Sequence, residues 1–237
     1  MKNIKMARSS SPNVNDRCEV VFLLDVDNTL LDNDRVERDL RRHLEEEFGV
    51  EARDEYFAIF EALRAELGYA DYLGALQRYR IEHPHEPHLL EVSSYLINYP
   101  FANRLYPGSL DAIEYLSAFG TTVILTDGDV VFQPLKIERS GLSEAVEGRV
   151  LVYIHKEQEL PEVERLFPAD HYVMIDDKIR ILTTAKKFWG PRLTTVFARQ
   201  GRYAMLPAVA NYPAADITIE RISDLVGYEI GMLLDTR

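Results

Sequence analysis

The chain has 237 residues with a formal net charge of −12, 46% hydrophobic and 28% charged residues, and a single cysteine. These values suit a soluble globular protein built as one large α/β domain or as a core with a smaller companion, and the acidic balance argues against nucleic acid or an anionic membrane as partner. No apolar run approaches the roughly 20 residues that span a bilayer, and Cys18 has no second cysteine to pair with, so a reducing, cytoplasmic setting is expected.

Residues 1–17 are basic, lack an apolar segment of signal-peptide type, and are expected to form a mobile leader. Val20–Leu24 then reads as a strand buried on both faces, the pattern of a central parallel strand. It ends abruptly in Asp25-Val26-Asp27-Asn28-Thr29. Two carboxylates at i and i+2 on a strand end serve as a metal site, as a nucleophile, or as both, because ligands of open α/β sheets bind at carboxyl ends of strands.

From Asp34 the period changes. Val36, Leu40, Leu44 and Phe48 recur every fourth residue and predict a helix stopped at Gly49. Further helices are predicted over 53–67, 71–82 and 88–98, with a Pro-rich break at 83–88. Residues 34–98 therefore read as an all-helical insertion. Ser109 is expected to cap a helix running to about Phe119. Beyond it, strands are predicted at 121–126, 149–154, 172–175 and 193–197, with a short edge strand at 216–219. Helices are predicted at 134–140, 159–167 and 179–189, with a final one from Ser223. Strand–helix alternation implies a parallel sheet with right-handed crossovers.

Four strands end in groups of complementary chemistry: Asp25 and Asp27, Thr126, Lys156, and the pair Asp176-Asp177. Side by side and parallel, they would converge on one crevice. Carboxylate oxygens suit a hard cation such as Mg²⁺, which also takes substrate phosphate and water. A carboxylate can attack phosphorus, a second can move the proton, and Thr and Lys can hold the transferring oxygens.

At these residues the sequence resembles the haloacid dehalogenase-like (HAD) superfamily. Leu23-Leu24-Asp25-Val26-Asp27-Asn28-Thr29 resembles its first motif, Ile124-Leu125-Thr126-Asp127-Gly128 its second, Lys156 its third and Val173-Met174-Ile175-Asp176-Asp177 its fourth. Tyr106-Pro107-Gly108-Ser109 resembles the family's entry into the helix before motif two. The resemblance covers roughly residues 19–200 and implies a Rossmann-like core with sheet order 5-4-1-2-3. Residues 18–33 and 104–237 would form that core, and 34–103 a helical cap of the C1 type that closes over the site and selects substrate. It implies Asp25 as nucleophile, Asp27 as acid/base, and Mg²⁺ held by Asp25, by Asp27 through its backbone carbonyl, and by Asp176-Asp177. Of that pair, Asp177 matches the family's more usual metal-binding aspartate. Dehalogenases of this fold lack a carboxylate two residues after the nucleophile, so the resemblance favours a phosphatase acting on a small phosphorylated metabolite through an aspartyl-phosphate. A phosphomutase or phosphotransferase of the same fold, or a non-catalytic metal-binding regulator, is the alternative. One departure is His155-Lys156-Glu157, where capped phosphatases often have Lys-Pro. Lys136 competes for the third motif, and Lys156 is preferred because it directly follows the third strand.

Other features read more simply. His83, His85 and His88 sit among prolines, which favours a rigid loop over a metal cluster. Tyr56, Phe57, Phe60, Tyr69 and Tyr72 belong mostly to the core of the helical insertion, with one or two at the crevice. Arg78, Arg80 and Arg104 are expected to face solvent more than substrate. Glu45-Glu46-Glu47 is a solvated face.

Overall fold

A computed structural model describes residues 18–234; the expected leader at 1–17 lies outside them. The chain runs β1 (Cys18–Leu24), α1 (Asn33–Leu67), α2 (Tyr72–Glu82), α3 (Leu89–Ile97), α4 (Ser109–Ser117), β2 (Thr121–Asp127), α5 (Phe132–Arg139), α6 (Leu142–Ala145), β3 (Val150–Tyr153), α7 (Leu160–Leu166), β4 (Ala169–Asp176), α8 (Ile179–Trp189), β5 (Leu193–Ala198), β6 (Ile217–Ile219) and α9 (Ile230–Leu234). The sheet order is β3-β2-β1-β4-β5-β6, all parallel. Read from the other edge, this is the expected 5-4-1-2-3 with β6 added outside β5.

Successive side chains of a strand point to opposite faces, and the central strands bury both. Phe22, Leu24, Ile124, Val173 and Ile175 join one apolar cluster with Ile113 and Leu116 of α4 and Ile137 of α5. Val21, Leu23, Val123, Leu125 and Met174 join a second with Leu160 and Val163 of α7 and Leu182 and Trp189 of α8. The first cluster continues without interruption into Tyr56, Phe60 and Leu63 of α1 and Tyr72 of α2. Phe60 stacks on Tyr72 at 4.7 Å, and Tyr72 meets Phe132 of α5 at 5.3 Å. Four of the five aromatic residues expected to form the core of the insertion, all but Tyr69, are buried in it.

The two helices predicted at 34–48 and 53–67 are one element broken by Gly49, whose φ of 87° and ψ of 168° lie outside helical space. Ser109 differs from its expected role. Gly108, at φ 84°, occupies the cap position, and the Ser109 hydroxyl donates to the Leu30 carbonyl at 2.7 Å, tying α4 to the turn after β1. The final helix starts at Ile230 rather than Ser223, because residues 222–225 form a 3₁₀ turn. No helix among the described residues is long and apolar enough to cross a membrane.

Arg104 does not reach the crevice. Its guanidinium pairs with buried Asp39 of α1 at 2.7 Å, and Tyr99 donates to the same oxygen at 2.6 Å. This network fixes the return from α3 to the sheet. Arg78 pairs with Glu66 and Arg80 is exposed. The histidines do not converge: His83 pairs with Glu55 at 2.9 Å and stacks on Tyr79, while His88 lies beside Glu86 and Glu91.

Candidate active site

β1 ends with the Asp25 amide donating to the Ile175 carbonyl of β4 at 3.0 Å, and the chain then turns sharply. Val26 accepts from the amides of Leu30 and Leu31, both at 2.9 Å. Asn28 adopts a left-handed φ of 62°, a conformation that Asn tolerates better than most residues. Its side chain locks the turn by bonding Asp34 in both directions, at 3.2 and 3.1 Å. Asp25 is thereby held inside the sheet end, 3% exposed, while Asp27 emerges toward solvent.

Asp25 is held from both sides. Lys156 Nζ lies 2.5 Å from Oδ1, and the Thr29 hydroxyl donates to Oδ2 at 3.1 Å. The same ammonium lies 2.6 Å from Asp176 Oδ2 and donates to the Leu125 carbonyl at 3.1 Å. Lys156 is fully buried. Burial alone would lower its pKa, but Asp176, Asp25 and Asp127 outweigh that and hold it well above the ordinary lysine value. The Asp127 carboxylate accepts from the Lys156 amide at 2.7 Å, which fixes the third strand's exit against the second's.

Lys136 does not compete with Lys156 for one position. Reaching in from α5, it lies 2.7 Å from Asp27 Oδ1 and donates to Asn33 Oδ1 at 2.9 Å. The two lysines serve different carboxylates. Thr126, at the end of β2, is buried, and its hydroxyl accepts from Gln133 at 3.1 Å.

Asp25, Asp176 and Asp177 each bring an oxygen within 4.8 Å of the others. Asp176 is occupied by Lys156 and by the Lys178 amide at 2.7 Å. Asp177 is not: both its carboxylate oxygens are buried without a hydrogen-bond partner among the described residues. Burial, and then the neighbouring Asp25 and Asp176, push its carboxyl well above the ordinary range. Burial pushes Asp176 up to about 6, the Lys156 charge opposing. Buried carboxylates without partners are costly unless a cation meets them. Five carboxylates (Asp25, Asp27, Asp127, Asp176, Asp177) face three ammonium groups (Lys136, Lys156, Lys178) here, leaving a formal excess of two negative charges. A divalent cation on Asp25 and Asp177 fits both the orphaned oxygens and the charge.

No local spacing or motif points to Lys178, Asn33, Gln133 or Arg202. Lys178 follows the acidic pair directly and lines the cleft, its ammonium 5.2 Å from the Tyr203 ring. Burial would lower its pKa, but Asp25 and Asp177 raise it above the usual value. Arg202 belongs to the connection from β5 to β6, which has no periodic pattern. Gly201, at φ +67°, brings that connection against Asn28, where any Cβ would lie 2.4 Å from the Asn28 Cβ. Arg202 then pairs with Glu37 and Asp34 of α1, at 2.5 and 3.2 Å. The resulting open cleft is bordered by Asp27, Asp127 and Lys178 on the sheet side, by Tyr69 from the turn after α1, and by Tyr203, Leu206, Val209 and Tyr212.

The family model for haloacid dehalogenase-like hydrolases matches residues 20–188. A solved protein of Burkholderia xenovorans LB400 that carries the name haloacid dehalogenase-like hydrolase is 61% identical, with 91% of this chain and 99% of that one covered and a TM-score of 0.87. The L-2-haloacid dehalogenase of Xanthobacter autotrophicus shares the fold at 17% identity, with 90% and 99% covered and a TM-score of 0.59. YfnB of Bacillus subtilis, a HAD-hydrolase solved with magnesium bound, does so at 17% identity, with 93% and 100% covered and a TM-score of 0.58. No curated protein sequence matches the chain significantly.

Proposed function

For this chain, which belongs to the haloacid dehalogenase-like hydrolases, we propose a Mg²⁺-dependent phosphatase that cleaves a small phosphomonoester through an aspartyl-phosphate. The observation that carries this reading is the pairing of a buried Asp25 with a second carboxylate, Asp27, two residues on and open to the cleft. A dehalogenase has no use for that second group. A phosphatase needs it twice.

In the first half-reaction an Asp25 oxygen attacks phosphorus, the bond to the ester oxygen breaks, and the proton on Asp27 passes to that oxygen. In the second, Asp27 takes a proton from water as the water attacks the aspartyl-phosphate. The P–O bond to Asp25 breaks, and phosphate leaves. Lys156 holds Asp25 in position; Lys136 orients Asp27 through Oδ1, and the other oxygen makes no hydrogen bond among the described residues. Lys178 lies where it attracts the phosphoryl oxygens. Asp25, Asp177 and the Asp27 carbonyl would hold Mg²⁺, with Asp176 steadying Lys156 beside them; the ion would neutralise charge on the transferring oxygens. Helices α1–α3 would act as the cap, bringing Tyr69 over the cleft and excluding water.

A panel of phosphomonoesters with and without EDTA tests the reading. Phosphate release should depend on Mg²⁺ and fall roughly 10³-fold or more in Asp25→Asn, whose amide is a poor nucleophile. Chloride release from 2-chloropropionate with no phosphate release from any ester would sink it in favour of a dehalogenase. Label moving between sugars without net release would favour a phosphotransferase.

A further inference from the structure

We propose that the alcohol leaving from this site carries a flat apolar, aromatic body rather than a hydroxyl-rich sugar or polyol. The proposal rests on the phosphatase reading and names its substrate class.

The cleft has two unlike ends. At the sheet end stand Asp27, Asp127 and Lys178. Lys178 has no ion-pair partner within 4.0 Å among the described residues, so its ammonium is available to a phosphoryl oxygen. That ammonium lies 5.2 Å from the Tyr203 ring, so a phosphate held by it sets its ester carbon against Tyr203. Away from that point apolar side chains line much of the cleft: Ile179, Leu206 and Val209, with Tyr69 and Tyr212 from two separate segments. Leu206 is 48% exposed and Tyr212 36% exposed, large side chains kept at the mouth of the cleft and out of the core. Apolar surface gathered at one opening marks a binding site.

The amide and guanidinium groups along the same walls are already engaged, which leaves the hydroxyls of Tyr69, Tyr203 and Tyr212 as the polar atoms there without a hydrogen bond among the described residues. Asn28 spends both ends of its amide on Asp34. Asn33 accepts from Lys136 and lies 3.5 Å from the Tyr72 hydroxyl. Arg202 is committed to Glu37 and Asp34, and Arg180 pairs with Glu157. A sugar brought here would give up water for few partners, whereas an aromatic ring would leave water for apolar walls and ring faces.

The test uses esters whose leaving groups are all primary alkoxides, so that chemistry favours none: 2-phenylethyl phosphate, ethyl phosphate and glucose 6-phosphate, each with Mg²⁺. Burial of one phenyl group predicts kcat/KM about 10- to 100-fold higher for 2-phenylethyl than for ethyl phosphate. Glucose 6-phosphate should do no better than ethyl phosphate. Tyr203→Ala should shrink the phenylethyl-to-ethyl ratio mainly through KM, and Tyr203→Phe should preserve it. Calorimetry with 2-phenylethylphosphonate and ethylphosphonate gives a readout without turnover, and the phenyl compound should bind at least 10-fold more tightly. A ratio near one, or preference for glucose 6-phosphate, overturns the proposal. If all three esters are inert, the phosphatase reading falls, and the phosphonate pair alone decides whether the apolar subsite exists.

Discussion

Lys156 holds together the charged end of the sheet. One ammonium with no solvent contact lies within 2.6 Å of two carboxylates that come from β1 and β4. Breaking such a group from one side costs more than its presence contributes, because the carboxylates left behind stay buried and unpaired. Lys156→Met should therefore lower unfolding free energy by about 3–5 kcal/mol in urea titrations, besides abolishing turnover. A loss under about 1 kcal/mol would mean that Asp25 and Asp176 take up water or protons at little cost. Residue by residue, the strand-end groups were readable because each sits at a fixed offset from an apolar run. Lys136 was readable as a lysine near the site but not as a partner of Asp27. That contact depends on how α5 leans over the sheet, which no local spacing encodes. Lys178 was hidden differently: next to an acidic pair it looks like an ordinary charge neighbour, and only the approach of Tyr203 makes it part of a wall.

At the scale of elements, one feature shapes the helical segment, another ties it to the rest of the chain, and each can be tested alone. Gly49 interrupts α1 at φ 87°, ψ 168°, a region essentially closed to residues with a side chain. A Cβ there would touch nothing within 4 Å, so Gly49→Ala isolates the conformational cost. It should destabilise by about 1–3 kcal/mol with no change in core packing, measured by chemical denaturation. An unchanged midpoint would show that α1 straightens through this point. The feature that ties it to the rest of the chain is the Arg202–Glu37 contact between the β5–β6 connection and α1. Burial pushes the Glu37 carboxyl up, but Arg202 and Arg41 outweigh it and hold it below its ordinary value of 4.5. A depressed carboxyl stabilises the fold above its unfolded pKa, and that contribution is lost as pH falls through the folded value. Wild type should thus melt above Glu37→Gln at pH 6, with the gap closing below pH 4.5. A gap independent of pH would mean that hydrogen bonding, not charge, joins these elements. The pairing could not be read from sequence. Glu37 and Arg202 lie far apart in the chain, and Arg202 sits in a turn leading into a 3₁₀ helix, where neither a 3.6 nor a 2.0 period exists to anchor a reading.

For the whole molecule, the charge at the site fits the cation better than the protein alone. The chain carries a net charge of −12, and the cluster at the sheet end holds a formal excess of two negative charges. Without a cation, Asp177 is a liability: its oxygens are shielded from water and meet no donor among the described residues. Removing that charge should therefore help the apo protein. In EDTA at pH 8, Asp177→Asn should melt higher than wild type by a few degrees, since about 1 kcal/mol corresponds to roughly 2–4 °C in a chain of this size. With Mg²⁺ the order should reverse. Wild type gains RT ln(1 + [Mg²⁺]/Kd), about 2.7 kcal/mol at one hundred times Kd, while the variant, lacking the ligand charge, gains little. Thermal shifts of both proteins across a Mg²⁺ series, with Ca²⁺ as a size control, measure this directly. If Asp177→Asn melts lower in EDTA and keeps the Mg²⁺ shift, then Asp177 supports the fold and the cation sits elsewhere. Retained binding with lost turnover in that variant would instead place the ion on Asp25 and the Asp27 carbonyl alone.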